Sequence, residues 1–161
     1  MTRHPAPFDA LILGVTVVSV VPLAIVAGVF GRRALAAPGH VLDVAVLVAT
    51  AGLVLGSWGT SPTAYRVEPG RLVVERPVGE IVYPLTGLVD VEPFQRWGFT
   101  IRVGNGGLFG VTGWFWNRTL GWFRVHGRKA CGAVLLRWPD HAAVVMPEDP
   151  ARFIDDVGRF R

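Results

Sequence analysis

The sequence predicts an α+β protein. A two-helix transmembrane hairpin over residues 1–59 is followed by a small β-barrel or sandwich of about seven strands over 60–161, closed by a C-terminal helix. Three observations carry this. Two long apolar runs occupy the first third of the chain, short alternating runs separated by Gly and Pro fill most of the rest, and the last dozen residues switch to helical spacing. Composition agrees. Hydrophobic residues make up 51% of the 161, charged residues 17%, and mean hydropathy is +0.42; a soluble domain carries roughly 25% charged residues.

Residues 11–30, LILGVTVVSVVPLAIVAGVF, hold no charge and have the length a helix needs to cross a hydrocarbon core. Pro22 would be costly in a soluble helix but is tolerated in a transmembrane one. The second run, VAVLVATAGLVLGSW at 44–58, becomes a span of 41–58 when Val41, Leu42 and Asp43 sit at its interfacial end. Ala45, Ala49, Gly52 and Gly56 recur along one of its sides and are expected to pack closely on the first helix. A cleaved signal peptide, with Arg3 ahead of the run and Ala34-Leu35-Ala36 as the cut, fits less well. The run exceeds the usual ~7–15 apolar residues, and Arg32, Arg33 and Pro38 crowd the supposed cut.

Two spans place both termini on one side. Arg3, Arg66, Arg71 and Arg76 lie on that side, against Arg32 and Arg33 in the connection, which favours cytoplasmic termini. One lysine, Lys129, stands against fifteen arginines, and Ala, Gly, Val and Pro are abundant. That usage resembles a GC-rich bacterial genome, so the expected location is a bacterial inner (plasma) membrane, multi-pass. The sequence pI of about 10.2 raises nucleic acid as a partner, but net charge is only +4 and no block of basic residues exists. The lipid bilayer itself, with anionic headgroups, is the simpler partner. Cys131 is alone, which excludes an internal disulfide and a Cys-based zinc cluster.

GTSPT at 59–63 reads as a linker. Strand-like runs follow at 64–67, 71–76, 80–83, 88–92, 99–103, 120–125, 133–138 and 142–146. Asn105-Gly106 is a strong hairpin-turn signal. At the end, Asp149-Pro150 is a helix start, and Pro150, Phe153, Ile154, Val157 and Phe160 form one apolar face of a helix over 150–160. That face needs a partner, and the open end of the β domain supplies one.

The phrases Gly107-Leu108-Phe109-Gly110, Gly113-Trp114-Phe115-Trp116, Leu120-Gly121-Trp122-Phe123-Arg124 and Pro147-Glu148-Asp149-Pro150 resemble, in this order, the bacterial PH-like (pleckstrin-homology-like) domains of membrane-anchored proteins. The resemblance covers most of residues 65–160. It implies a PH-like fold beside one or two membrane helices and brings no catalytic residue or ligand. Within it, residues 107–117 are expected to form a conformationally special loop, and His126 and Lys129 to fall in a turn.

Chemistry is sparse. Cys131 and His126 lack an orienting third group, and a lone cysteine usually fills apolar space. His4, His40, His126 and His141 show no metal-ligand spacing. Asp90 with Glu92, and Asp155 with Asp156, read as a solvated strand edge and a solvated helix face. GNGG at 104–107 lacks the arrangement of a phosphate-binding loop, and Asn117-Arg118-Thr119 fits a glycosylation sequon without meaning in a bacterial cytoplasmic domain. No cofactor and no metal are expected.

What remains is an aromatic–arginine set: Trp97, Trp114, Trp116, Arg118, Trp122, Arg124 and Arg128. Tryptophan favours membrane interfaces, and arginine grips phosphate with a forked geometry. A single-stranded nucleic-acid platform would use the same residue types, but a bilayer tether argues against it. At least half of the set is expected to be core. The expected function is therefore a non-enzymatic, membrane-anchored interaction module that binds lipid headgroups, a membrane protein partner or itself at the cytoplasmic face. A structural subunit of a larger membrane complex is the alternative. An enzyme of envelope or lipid metabolism would have to use His126, Asp90 or Cys131, which form no cluster in the sequence.

Overall fold

Each apolar run folds as a helix, and neither helix is covered. The computed structural model describes residues 1–36, 41–95, 98 and 100–161. Helix α1 (Ala10–Ala36) and helix α2 (Val41–Thr60) are both long and apolar enough to cross a membrane. Val17, Val18, Val21, Ile25 and Val29 on α1, and Val44, Val48, Leu53 and Leu55 on α2, stand exposed. A helix that is apolar all round needs apolar surroundings.

The strands are β1 (Thr2–Pro5), β2 (Ala64–Glu68), β3 (Arg71–Glu75), β4 (Glu80–Pro84), β5 (Asp90–Phe94), β6 (Ile101–Gly106), β7 (Val111–Asn117), β8 (Gly121–Gly127), β9 (Ala133–Arg137) and β10 (Ala142–Val145), with α3 (Pro150–Phe160) last. They form a four-stranded sheet in the order β1-β2-β3-β4 and a six-stranded one in the order β5-β9-β10-β8-β7-β6. Among the described residues only β10 and β8 pair in parallel. Among the described residues no ladder joins the two sheets, so the expected barrel is not closed.

One apolar cluster lies between the sheets. Tyr65, Leu72, Val74 and Leu85 meet Val134, Leu136, Ala143 and Val145, and α3 covers the cluster with Phe153 and Val157. Tyr65 also stitches the sheets together: its hydroxyl donates to the His126 carbonyl at 2.7 Å and accepts the Met146 N–H at 3.2 Å. A second cluster, containing Phe115, Phe123, Val125, Leu135 and Val144, lies on the opposite face of the six-stranded sheet. There the rings of Phe94 on β5 and Phe123 on β8 are 6.1 Å apart, although β9 and β10 intervene. Three strand spacings in a flat sheet would be about 14 Å, so the sheet curls around this face.

Helix α3 starts where the sequence places it. Asp149 accepts the Arg152 N–H at 3.1 Å, with Pro150 in the first turn. Other expectations change. Residues 105 and 106 are not a turn but ladder positions opposite Thr112 and Val111, so the hairpin tip is 107–110. Residues 111–117, expected within a special loop, are strand β7. Strand β1 had no counterpart among the sequence runs; it pairs Thr2↔Val67 through Pro5↔Ala64. Its His4 is buried and contacts Asp156, the residue expected on a solvated face of α3, at 3.1 Å. Asp156→Ala leaves His4 Nε2 without this partner in a site only 5% exposed. It should cost about 1–3 kcal/mol and loosen β1 first, seen as faster amide exchange at His4 and Tyr65. Unchanged exchange there would show that the contact does not hold the strand.

The small residues of α2 also face another way. Its covered positions, Asp43, Val46, Leu47, Thr50, Val54 and Ser57, recur at helical spacing, and Leu47 meets Gly31 of α1. Ala45, Ala49, Gly52 and Gly56 lie on the opposite side, exposed, and a Cβ at Gly52 or Gly56 would meet nothing within 4 Å.

The start of α1 and the end of α2 are clamped to the β domain at one shared end. Asp9 caps α1 by accepting the Ile12 N–H at 2.8 Å, and its other oxygen accepts the Ala130 N–H. Thr16 accepts the Phe109 N–H at 3.0 Å. Ser61 donates to the Phe109 carbonyl and accepts Arg128 Nε at 2.7 Å. Phe109 takes φ +60, a region costly for a side chain of its size, and these bonds hold it there.

Candidate functional site

The β6–β7–β8 arm displays one face in three cross-strand rows. Ile101, Trp116 and Trp122 form the outermost row, Val103, Trp114 and Arg124 the next, and Asn105, Thr112 and His126 the innermost. Strand β4 reaches the innermost row, where Tyr83 meets His126. Beyond it the four-stranded sheet ends and α2 stands opposite, leaving a cavity of about 450 Å³. Gly52, Gly56, Ser57 and Thr60 wall it from α2, Arg76 and Ile81 from the smaller sheet, and Thr112, Trp114, Arg124 and His126 from the arm.

Its floor depends on two glycines. Gly104 and Gly113 pair across β6 and β7 with φ +146 and +140. A Cβ on either would stand 2.5 Å from a backbone carbonyl oxygen of the facing strand. Only glycine permits this approach.

The cavity is positively charged and rich in donors. No Asp or Glu lines it. Arg124 lies 4.6 Å over the Trp114 ring, a cation–π contact that fixes the guanidinium without neutralising it. Arg76 Nε is buried with no hydrogen-bond partner. His126, 4% exposed, contacts the Tyr83 hydroxyl through Nε2 at 2.8 Å, while its Nδ1 has no partner. Burial, helped by the charges of Arg124 and Arg76, pushes His126 down to about 3, so it is neutral near pH 7. Burial raises the Tyr83 phenol as well. Two guanidinium groups suit an anion.

The aromatic–arginine set thus divides. Trp114 and Arg124 line the cavity; Trp122 is exposed and Trp116 half-buried beside it. Arg118 is exposed in the β7–β8 turn, where Asn117 accepts the Thr119 and Leu120 N–H groups. Arg128 belongs to the helix clamp, 4.4 Å over the Phe8 ring and bonded to Ser61. Trp97 and His40 lie outside the described residues. Phe115 and Phe123 are core. Arg76, Tyr83 and His126 join the site without having been singled out for it. His126 sits in β8, not in a turn, and Cys131 is exposed rather than filling apolar space. Asp90 and Glu92 are exposed, and Glu92 pairs with Arg137 at 3.1 Å. Among the described residues no group of three His, Cys, Asp or Glu is placed to hold a metal. No family model, curated protein or solved structure matches the chain.

Proposed function

We propose that the protein is a non-enzymatic, membrane-anchored interaction module whose PH-like β domain binds lipid headgroups at the cytoplasmic face of a bacterial inner membrane. The observation that carries the reading is the clamp at the shared end of α1 and α2. If both helices cross the bilayer, Asp9, Thr16, Ser61 and Arg128 hold the β domain directly against its surface. Trp58, Trp114 and Trp122 are then exposed near the headgroup level, where their rings bury apolar area and their N–H groups find polar partners. The phrases of residues 107–124 that resemble PH-like domains support the fold assignment, and the arginines at the domain end support a cytoplasmic orientation.

The test is tryptophan quenching in vesicles by lipids brominated near the headgroup, with the full chain reconstituted. Quenching should be strong, and Trp114→Phe with Trp122→Phe should remove a clear share of it. Equal fractional quenching of the wild type and the double variant would place the sheet arm away from the bilayer and overturn the proposal.

A further inference from the structure

We propose that the cavity between α2 and the β6–β7–β8 arm binds the phosphate of an anionic membrane lipid, with Arg76, Arg124 and His126 as its ligands. This rests on the reading of α2 as a membrane helix and names what the module would recognise.

Four features point to it. First, Arg76 and Arg124 face one cavity that no carboxylate enters, and among the described residues neither is paired with an acid. Protein arginines are seldom left so, because carboxylate is their usual partner when water is partly excluded. Second, His126 is nearly fully buried with Nδ1 unsatisfied at the wall, as is Arg76 Nε. A buried polar atom without a partner is costly unless something occupies the space before it. Third, Thr112 lines the same space with its hydroxyl, whereas the Thr60 hydroxyl there donates to the Gly56 carbonyl and Asn105 Nδ2 to the Leu108 carbonyl.

The fourth feature selects a lipid over a soluble phosphate. Gly52 and Gly56 line the α2 wall of the cavity beside Leu53, Ser57 and Thr60, and the glycine side of the helix continues upward as Ala49 and Ala45, all four small residues exposed. No Cβ neighbour closes off the glycines. A phosphate held by Arg76 and Arg124 would leave its glycerol and acyl chains free to run along this smooth side into the bilayer. Soluble phosphate would gain nothing from it.

The full chain in neutral maltoside micelles can be titrated with dioleoyl phosphatidic acid, dioleoylglycerol and inorganic phosphate, following the rise in unfolding temperature that ligand binding produces. Phosphatidic acid should bind at least tenfold more tightly than either of the others. Arg76→Gln and Arg124→Gln, both at positions that are not fully buried, should each weaken it at least tenfold while leaving the lipid-free unfolding temperature close to wild type. Equal binding of dioleoylglycerol would mean that only tails are read and would overturn the phosphate site. Equal binding of inorganic phosphate would overturn the lipid assignment. Unaltered affinity in both arginine variants would overturn the residues. Failure here with bromolipid quenching intact removes the phosphate site alone; loss of quenching removes the membrane reading beneath it.

Discussion

Gly113→Ala should destabilise the protein by about 3 kcal/mol or more, the sum of a left-handed-region backbone angle and a clash that only chain movement relieves. Gly113 has φ +140, and its added Cβ would lie 2.5 Å from the Val103 carbonyl oxygen and 2.8 Å from the Gly104 Cα. Neither obstacle is the far end of a flexible side chain. Strands β6 and β7 would have to separate at this pair, lifting Trp114 from its place beside Arg124. Gly106→Ala on the neighbouring strand β6 is the control: its Cβ meets nothing within 4 Å, and such a change should fall within about 0.5 kcal/mol of wild type. Chemical unfolding in detergent separates the two. Similar midpoints for both variants would show that the Gly104–Gly113 approach is not a constraint.

Acidification should destabilise the fold through His126, and the sign follows from its depressed folded value. The unfolded chain takes up a proton near 6.5, whereas the folded chain resists until about 3. Between these values the unfolded state binds more protons, so stability is full above pH 7 and falls as pH drops through the window. The loss from this group alone is about 2 kcal/mol by pH 5 and on the order of 5 kcal/mol at the bottom of the window. His126→Gln keeps a polar side chain but cannot titrate. Its unfolding temperature should start lower than wild type at pH 7.5 and fall less steeply towards pH 4.5. Parallel curves for the two proteins would mean that His126 is not the group responsible.

Local signals in the sequence were read where the physics is local. Helix α3 was legible to its first residue because a cap, a proline and an apolar face all act within four residues of one another. Strands β3, β4, β9 and β10 followed from short β-branched runs between Gly and Pro. Strand β7 was not legible: VTGWFWN places bulky apolar groups on both of its faces, and Gly113 interrupts it, so the alternation that marks a half-buried strand is hidden. Four residues between a terminus and two prolines gave no sign of β1, whose partner lies some sixty residues onward.

The site was half legible for the same reason. Trp114 and Arg124 stood out by residue type, and the cross-strand register brings them together. Tyr83 and His126 are 43 residues apart on different sheets, and nothing in either neighbourhood announces their bond. Arg76 counted only as one more positive charge near a membrane. The small side of α2 was visible as a pattern, but its direction was not, because spacing reports that a face exists and not what stands before it.

The pairing of β1 with β2 carries a consequence for biogenesis. Thr2–Pro5 leaves the ribosome ahead of both helices, yet its partner Ala64–Glu68 emerges only after them. If the helices enter a bilayer, the two strands can meet only after an even number of crossings. A chain inserted with one helix short would leave β1 on the far side, the edge of β2 unpaired and His4 parted from Asp156. Completion of the sheet would then act as a parity check on insertion, and a misinserted chain would present an open strand edge to quality-control proteases.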